Sequence, residues 1–502
     1  MNSALKLFRS KSVFSLALLI LAAHLLADRS EAQPATAQHG SNAGIVSKTI
    51  PVLTISDIHF DPFHDPGKLQ QLVDTSASQW NAILATAPSS NQKQAFDALQ
   101  QQCHMGGADT SYDLLQSSLQ AMRTRQPDAK FMTVSGDLMA HAFSCRFKAL
   151  LPQSTQSDYQ TFTLKTLSFV VSSLHSTFPH MPIYVALGNN DSGCGDYQLD
   201  AGSDFLAQAG KILAGALAAP QQQDAISQFA QGGYYNIAMA SPMSNTHILV
   251  VNDVYLSPKY LTCGGMPNVT AASAEMDWLK QQLASAQQAG QKVWILGHIP
   301  PGIDAPSTVA RMKNICAGAK PVMFLSSGVM DDLMLKHASA IRLGIFAHTH
   351  MDELRLLQPE GGDPSPTAEH SVVLKLVSSI SPIDGNNPSF TVANINPSTA
   401  ALEDYKVFVA SNQTGVGATW PEEYDYGRTY HQPLFSPAPV KDLIAKFQAD
   451  REATLEISKD YIRNYFPGDR SSELTPFWPP YACSLANSTA KSYAACVCTA
   501  SK

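Results

Sequence analysis

The stretch Gly344-Ile-Phe-Ala-His-Thr-His-Met-Asp-Glu353 closes an apolar run, Ile341 to Phe346, of the kind that forms a short buried strand. The run stops at Ala347, and two histidines follow one residue apart, His348 and His350. In extended chain, residues i and i+2 project to the same side. Two imidazoles therefore stand side by side at the end of a strand, where they are placed to hold a metal ion. Two histidines in a surface loop would look the same, so the meaning of the pair depends on how the other strands end.

Four other apolar runs end in a polar motif. Thr49 to Ser56 runs into Asp57-Ile-His59, and Phe131 to Ser135 runs into Gly136-Asp137. Pro182 to Leu187 runs into Gly188-Asn189-Asn190, and Lys292 to Leu296 into Gly297-His298. Helical patterns lie between them. Tyr112 to Arg125 carries a Leu115, Leu119, Met122 stripe with Thr110 as a candidate cap. Asp158 to Ser176, Asp204 to Ala219 and Ala274 to Gln288 follow, the last with Ser273 as a candidate cap. Tyr234 to Ala240, His247 to Asn252, Val372 to Val377 and Phe390 to Asn394 read as further strands. This alternation predicts an α/β fold, a layered α-β-β-α domain. Past Tyr405 the strand signals thin out, Val440 to Phe466 reads as helical, and a Pro-rich, Cys-containing tail follows.

In sheet proteins ligands gather beyond the carboxyl ends of strands. Each of the five motifs brings an oxygen or imidazole donor to that end, and the glycines before Asp137, Asn189 and His298 suit a sharp turn. Seven such donors exceed the needs of one metal. Two metals sharing one carboxylate is the economical arrangement.

The ordered set D-x-H, G-D, G-N-N, G-H, A-H-x-H resembles the fingerprint of calcineurin-like metallophosphoesterases. The likeness tightens to the acid sphingomyelinase-like phosphodiesterases through Ile55-Ser-Asp-Ile-His-Phe-Asp61, Gly136-Asp-Leu-Met-Ala-His141, Gly297-His-Ile-Pro-Pro-Gly302, His348-Thr-His-Met-Asp-Glu353 and Gly385-Asn-Asn-Pro-Ser-Phe390. It spans residues 50 to 400. The resemblance implies that Asp57, His59 and His350 hold a first metal, that Asn189, His298 and His348 hold a second, and that Asp137 bridges them. It points to zinc, with manganese or iron also suited to such donors. A hydroxide shared by two cations is nucleophilic near neutral pH, and the cations neutralise a phosphate as it gains charge. Two positions depart from the family pattern: Ala347 stands for the usual Gly, and Asn190 for a His that contacts phosphate. An amide cannot act as a general acid. His141, which matches a His of the subgroup, is therefore expected to protonate the leaving group, and Asn190 to orient phosphate. Asp352 and Glu353 are read as support or turn residues without a catalytic part.

The chain has 502 residues, 44% hydrophobic and 15% charged, with a formal net charge of −7. It carries no basic run, which argues against nucleic-acid binding. Lys6, Arg9 and Lys11 precede an apolar stretch from Val13 to Leu26, and Ser30-Glu-Ala32 is a cleavage-like site. The first 32 residues therefore read as a signal peptide, which would leave 30 basic against 39 acidic residues and a secreted, periplasmic or lumenal protein. No later stretch is apolar enough to span a bilayer. Eight cysteines without a CxxC pair predict disulfides, at least one of them local to Cys483, Cys496 and Cys498. Asn268, Asn412 and Asn487 open glycosylation-type sequons.

The expected organisation is a leader over 1–32, a linker over 33–48, a metallophosphoesterase domain over 49–400 and a mainly helical extension over 401–502. The linker is too short for the saposin domain that precedes the catalytic domain of lysosomal sphingomyelinase, which shifts the expectation from sphingomyelin towards soluble phosphodiesters. The expected activity is hydrolysis of a small or lipid-headgroup phosphodiester. A nucleotide phosphohydrolase on the same site, or a catalytically weak metal-containing binding protein, are the other readings.

Overall fold

The strands set where the site lies. The computed structural model describes residues 49–243, 245–362 and 367–499, so the expected leader and linker fall outside the described residues. The first six strands are β1 (Ile50–Ile55), β2 (Met132–Ser135), β3 (Ile183–Ala186), β4 (Tyr235–Ala238), β5 (Thr246–Val250) and β6 (Lys292–Leu296). The next six are β7 (Ile341–Phe346), β8 (Glu353–Leu357), β9 (Val372–Leu376), β10 (Ser389–Asn396), β11 (Ala401–Val409) and β12 (Glu422–Asp425).

They form two six-stranded mixed sheets, ordered β12-β11-β10-β1-β2-β3 and β4-β5-β6-β7-β9-β8. β1, β2 and β3 run parallel, as do β5, β6, β7 and β9. Their apolar residues are buried on both faces, which is why these runs are apolar almost without alternation. The sheets pack face to face: Trp294 of β6 donates to the Ala400 carbonyl at 2.8 Å and meets Phe131 edge-on. Helices such as Tyr112–Arg125, Gln156–Thr177 and Val269–Gln288 cover the outer faces. The expected layered α/β architecture is the observed one.

The differences have local causes. β8 escapes a hydropathy reading because Glu353 and Arg355 sit inside it, although all five of its residues are buried. Their charges meet each other at 3.0 Å, which makes burial tolerable. The first sheet continues past residue 400 through β11 and β12, so helices take over only from Tyr426. The helical run over 440–466 is two helices, Pro437–Ala449 and Glu456–Tyr465. Between them the Asp450 carboxylate accepts from the Thr454 and Leu455 N–H groups, an arrangement that competes with helix continuation. Likewise the helix predicted over 204–219 stops at Ala214, and a second helix, Ala219–Gly232, follows. Ser111 rather than Thr110 caps the helix over 112–125. Asn268 rather than Ser273 caps the helix that ends at Gln288, which starts one turn earlier than its apolar stripe.

Four disulfides pair all eight cysteines: Cys103–Cys145, Cys194–Cys263, Cys316–Cys498 and Cys483–Cys496. The last is the local tail bridge expected from sequence. Among the described residues no helix is long and apolar enough to cross a membrane.

Candidate metal centre

The five motifs meet. β1 and β2 are parallel neighbours, and the loops after them stay paired: Asp57 N–H donates to the Gly136 carbonyl and His59 N–H to the Asp137 carbonyl, at 3.1 and 2.9 Å. Asp57, His59, Asp137, His348 and His350 all take positive φ, from 43° to 72°. Left-handed backbone costs a non-glycine residue roughly 1–2 kcal/mol. Five such residues at three strand ends mean that the fold holds these side chains against local preference. Gly188 is required by space rather than by turning: a Cβ there would overlap the Asp137 carboxylate.

Two donor sets form around one oxygen. His59 Nε2 lies 3.5 Å from Asp137 Oδ2, 3.6 Å from Asp57 Oδ1 and 3.2 Å from His350 Nε2. His350 Nε2 is 3.4 Å from Asp57 Oδ1. On the other side, His298 Nε2 lies 3.2 Å from the same Asp137 Oδ2, 3.1 Å from Asn189 Oδ1 and 3.2 Å from His348 Nδ1. All seven sequence-predicted donors are thus brought together.

The donors face one another with lone pairs. His59 Nδ1 is 2.8 Å from the Met139 carbonyl and His298 Nδ1 is 2.7 Å from the Ser135 carbonyl. A carbonyl only accepts, so these nitrogens carry the hydrogen, and in the neutral ring Nε2 is left as an acceptor. Asn189 is fixed likewise: its amide nitrogen donates to Asp196 at 2.7 Å, which turns Oδ1 inward. Asp57 Oδ1 is buried without a hydrogen-bond partner. Positive charge, as a proton on an imidazole or as a metal ion, relieves the crowding of these groups at 3.1–3.6 Å, and a buried set of four imidazoles, two carboxylates and one amide oxygen fits metal ions.

The family model for calcineurin-like phosphoesterases matches residues 50–352. The chain belongs to that family. It is therefore a phosphoric ester hydrolase built on a metallophosphoesterase fold. It is 25% identical over 351 residues to the sphingomyelinase phosphodiesterase C of Dictyostelium discoideum, covering 68% of this chain and 72% of that protein. Against the cyclic GMP-AMP phosphodiesterase SMPDL3A of Homo sapiens it is 24% identical over 427 residues, 84% of this chain and 83% of that protein. Against the acid sphingomyelinase-like phosphodiesterase 3b of Mus musculus it is 24% identical over 414 residues, 79% of each.

The field inside the phosphoesterase site favours positive charge. Burial alone would lower His298, yet the neighbouring Asp137 and Asp57 carboxylates push it up to about 10. Burial resists ionisation of Asp57 too, but His350 and His59 outweigh it and hold the carboxyl well below its usual range. Asp137 is held low in the same way by His298. His348 goes the other way, down to about 3, because burial and the His298 charge both oppose its protonation.

Several supporting residues carry no sequence signal. Asp191 accepts from the Leu138, Met139 and Gly188 N–H groups, which ties the loops after β2 and β3 together. Asp253 accepts from the His298 and Ile299 N–H groups at 2.7 and 3.0 Å. Burial pushes both carboxyls up to about 7. Asp384 Oδ2 stands 3.1 Å from His350 Nδ1, poorly aligned for a hydrogen bond. Tyr197 Oη is 3.3 Å from His348 Nε2.

His141 stacks on His59, with ring centroids 3.9 Å apart. Its Nδ1 lies 3.0 Å from Asp109 Oδ1, and its N–H donates to Asp109 Oδ2 at 2.9 Å. Burial lowers His141, but Asp109 more than compensates and its pKa is raised overall. Asp109 also meets Arg146 at 3.1 Å and accepts from Ser381 at 3.0 Å. Its partner Arg146 reaches on to Asp61 at 2.7 Å. Asn190 lies in the site, turned inward: its backbone N–H and its side-chain amide donate to the two oxygens of Asp137, each at 2.8 Å.

Proposed function

We propose that this chain is an exported phosphodiesterase with a dinuclear metal site, acting on a small soluble or lipid-headgroup phosphodiester. The observation that carries the reading is Asp137 Oδ2, placed between the His59 set and the His298 set within 3.5 Å of each. Asp57, His59, His350 and Asp137 would hold one cation, and Asn189, His298, His348 and Asp137 the other. The family resemblance points to zinc, and mixed imidazole, carboxylate and amide donors suit zinc, manganese and iron alike. A pair of such cations supplies charge neutralisation at the phosphate and acidifies water.

The chain's own residues do the rest. The Asp109 carboxylate keeps the His141 proton on Nδ1 of the neutral ring and stabilises the charged ring, and Nε2 then delivers a proton to the departing alcohol. Asn190 holds Asp137 in place through two donors. This supports a positioning role for the amide, beside the phosphate contact expected from sequence, for which its second N–H is left. The relatives named as sphingomyelinase and cyclic GMP-AMP phosphodiesterases support a diester over a monoester. Four disulfides fit an oxidising compartment and so support export.

Chelated protein, reloaded with zinc or manganese, is expected to hydrolyse bis-p-nitrophenyl phosphate much faster than p-nitrophenyl phosphate. Faster turnover of the monoester would favour a nucleotide or monoester phosphohydrolase. Reloaded protein that turns over neither would be a binder.

A further inference from the structure

Beside His348 a cavity of about 340 Å³ opens between the metallophosphoesterase core and the C-terminal segment. The core contributes Phe324 and Met351, and the C-terminal segment contributes Tyr465, Phe466, Leu474 and Phe477. An apolar cavity of roughly 150 Å³ already takes up benzene, so this one has room for an aromatic ring. Phe324 lies edge-on to His348 with centroids 6.4 Å apart, so the aromatic wall begins at the candidate metal centre itself. His141, at the other side of the centre, stacks on His59. The leaving group belongs on the His141 side, which leaves the cavity beside His348 for the ester group that stays on phosphorus.

Of the charged side chains around this cavity, Asp304 has the Ser307 N–H as its partner, at 2.9 Å, and the others are ion-paired. The Arg355 guanidinium lies over Phe324 at 5.0 Å, and that of Arg470 over Phe466 at 4.8 Å. Arg355 pairs with Glu353 at 3.0 Å, and Arg470 with Glu473 at 2.8 Å. A ring whose one face carries a guanidinium offers less to a second cation on the other face, because the two positive charges repel through a thin, poorly screening layer. A neutral ring meets no such penalty and gains from stacking or edge contact. The C-terminal wall is fixed to the core independently of substrate. Tyr481 donates to Glu353 at 3.0 Å, Asp352 N–H donates to the Tyr465 carbonyl at 2.9 Å, and Cys316 is bonded to Cys498.

We propose that this cavity binds the retained ester group of the substrate as an uncharged aromatic or flat apolar group, and that Phe477 and Phe324 set that preference. The inference rests on the phosphodiesterase reading for which ester group enters. The chemistry of the cavity stands on its own walls.

Calorimetric titration of the metal-loaded full chain with three non-hydrolysable phosphonates tests it. Phenylphosphonate is expected to bind about 5- to 10-fold tighter than methylphosphonate, the scale of an added aromatic contact. The (2-trimethylammonioethyl)phosphonate is expected to bind no tighter than methylphosphonate. Phe477→Ala, and separately Phe324→Ala, should reduce the phenyl advantage to about 2-fold or less with methylphosphonate unchanged, and Phe477→Tyr should restore it. Arg470→Gln removes the guanidinium behind Phe466 and should tighten the cationic phosphonate about 3-fold. A cationic phosphonate that outbinds the phenyl compound in the unaltered protein would overturn the proposal, whether or not any variant folds. So would a phenyl preference that survives both alanine variants. Absence of diester turnover alongside a phenyl preference would refute the phosphodiesterase reading and leave the cavity's preference standing.

Discussion

Asp109 does its work one residue removed from the chemistry. It holds His141 through both a ring nitrogen and the backbone, while Arg146 and Ser381 hold it in turn. If Nε2 of His141 is the proton donor, His141→Ala should slow diesters with alkyl leaving groups about 10²–10⁴-fold, and p-nitrophenyl esters by under about 10-fold. Nitrophenolate departs without a proton, so equal slowing of both classes would sink the role. Asp109→Asn should show the same split at smaller size, about 10- to 100-fold, because His141 keeps its place but not its orientation. The seven candidate donors were legible because each follows an apolar strand within four residues. Asp109, Asp191 and Asp253 were not. Apart from the Gly188 contact of Asp191, Asp191 and Asp253 act on backbone N–H groups 45 to 53 residues away, and Asp109 on His141 32 residues away, so no local spacing announces these ties. Asn190 was found by position, but its partner needed coordinates: an amide that looks free in the sequence is bound to Asp137.

At the scale of elements, the strand ends matter more than the strands. Gly188→Ala pushes a methyl group into the Asp137 carboxylate, so kcat should fall by about 10²-fold or more while far-UV circular dichroism is unchanged. Unaltered turnover would show that the loops after β2 and β3 have slack. By contrast, Ser111 only accepts from Leu114 N–H at 3.2 Å to cap the helix over 112–125. Ser111→Ala should lower stability by about 1 kcal/mol in urea titration and leave turnover alone. Parallel buried strands announce themselves as continuous apolar runs, which made β1, β2, β3, β6 and β7 readable. β8 was not readable, since its charges are neutralised by each other and by Tyr481 only in three dimensions. β11 and β12 join the first sheet from beyond residue 400, where composition turns polar and partly exposed.

Across the whole molecule, buried carboxyls tie stability to pH. Burial pushes Glu275 up to about 8 and Glu423 up to about 7. A carboxyl raised on folding binds its proton more tightly in the native state. Its stabilisation is complete below the unfolded pKa near 4.5 and is lost as pH climbs through 7 to 8. The melting temperature should therefore rise from pH 8 to pH 5. Glu275→Gln, which keeps an acceptor for the Asn252 N–H, should recover on the order of 2 kcal/mol at pH 8 and little at pH 5. A melting temperature that falls steadily over that interval would contradict the assignment. The Cys316–Cys498 bond spans 182 residues and anchors the last helix, so replacing both cysteines by serine should cost about 2–5 kcal/mol. The central claim is that Asp137 joins two cations in one site, and metal counting tests it most directly. Inductively coupled plasma mass spectrometry on protein reloaded with zinc and desalted should give two zinc ions per chain, near one for His298→Ala and near none for Asp137→Ala. One ion per chain in the unaltered protein, or two retained in Asp137→Ala, would contradict it.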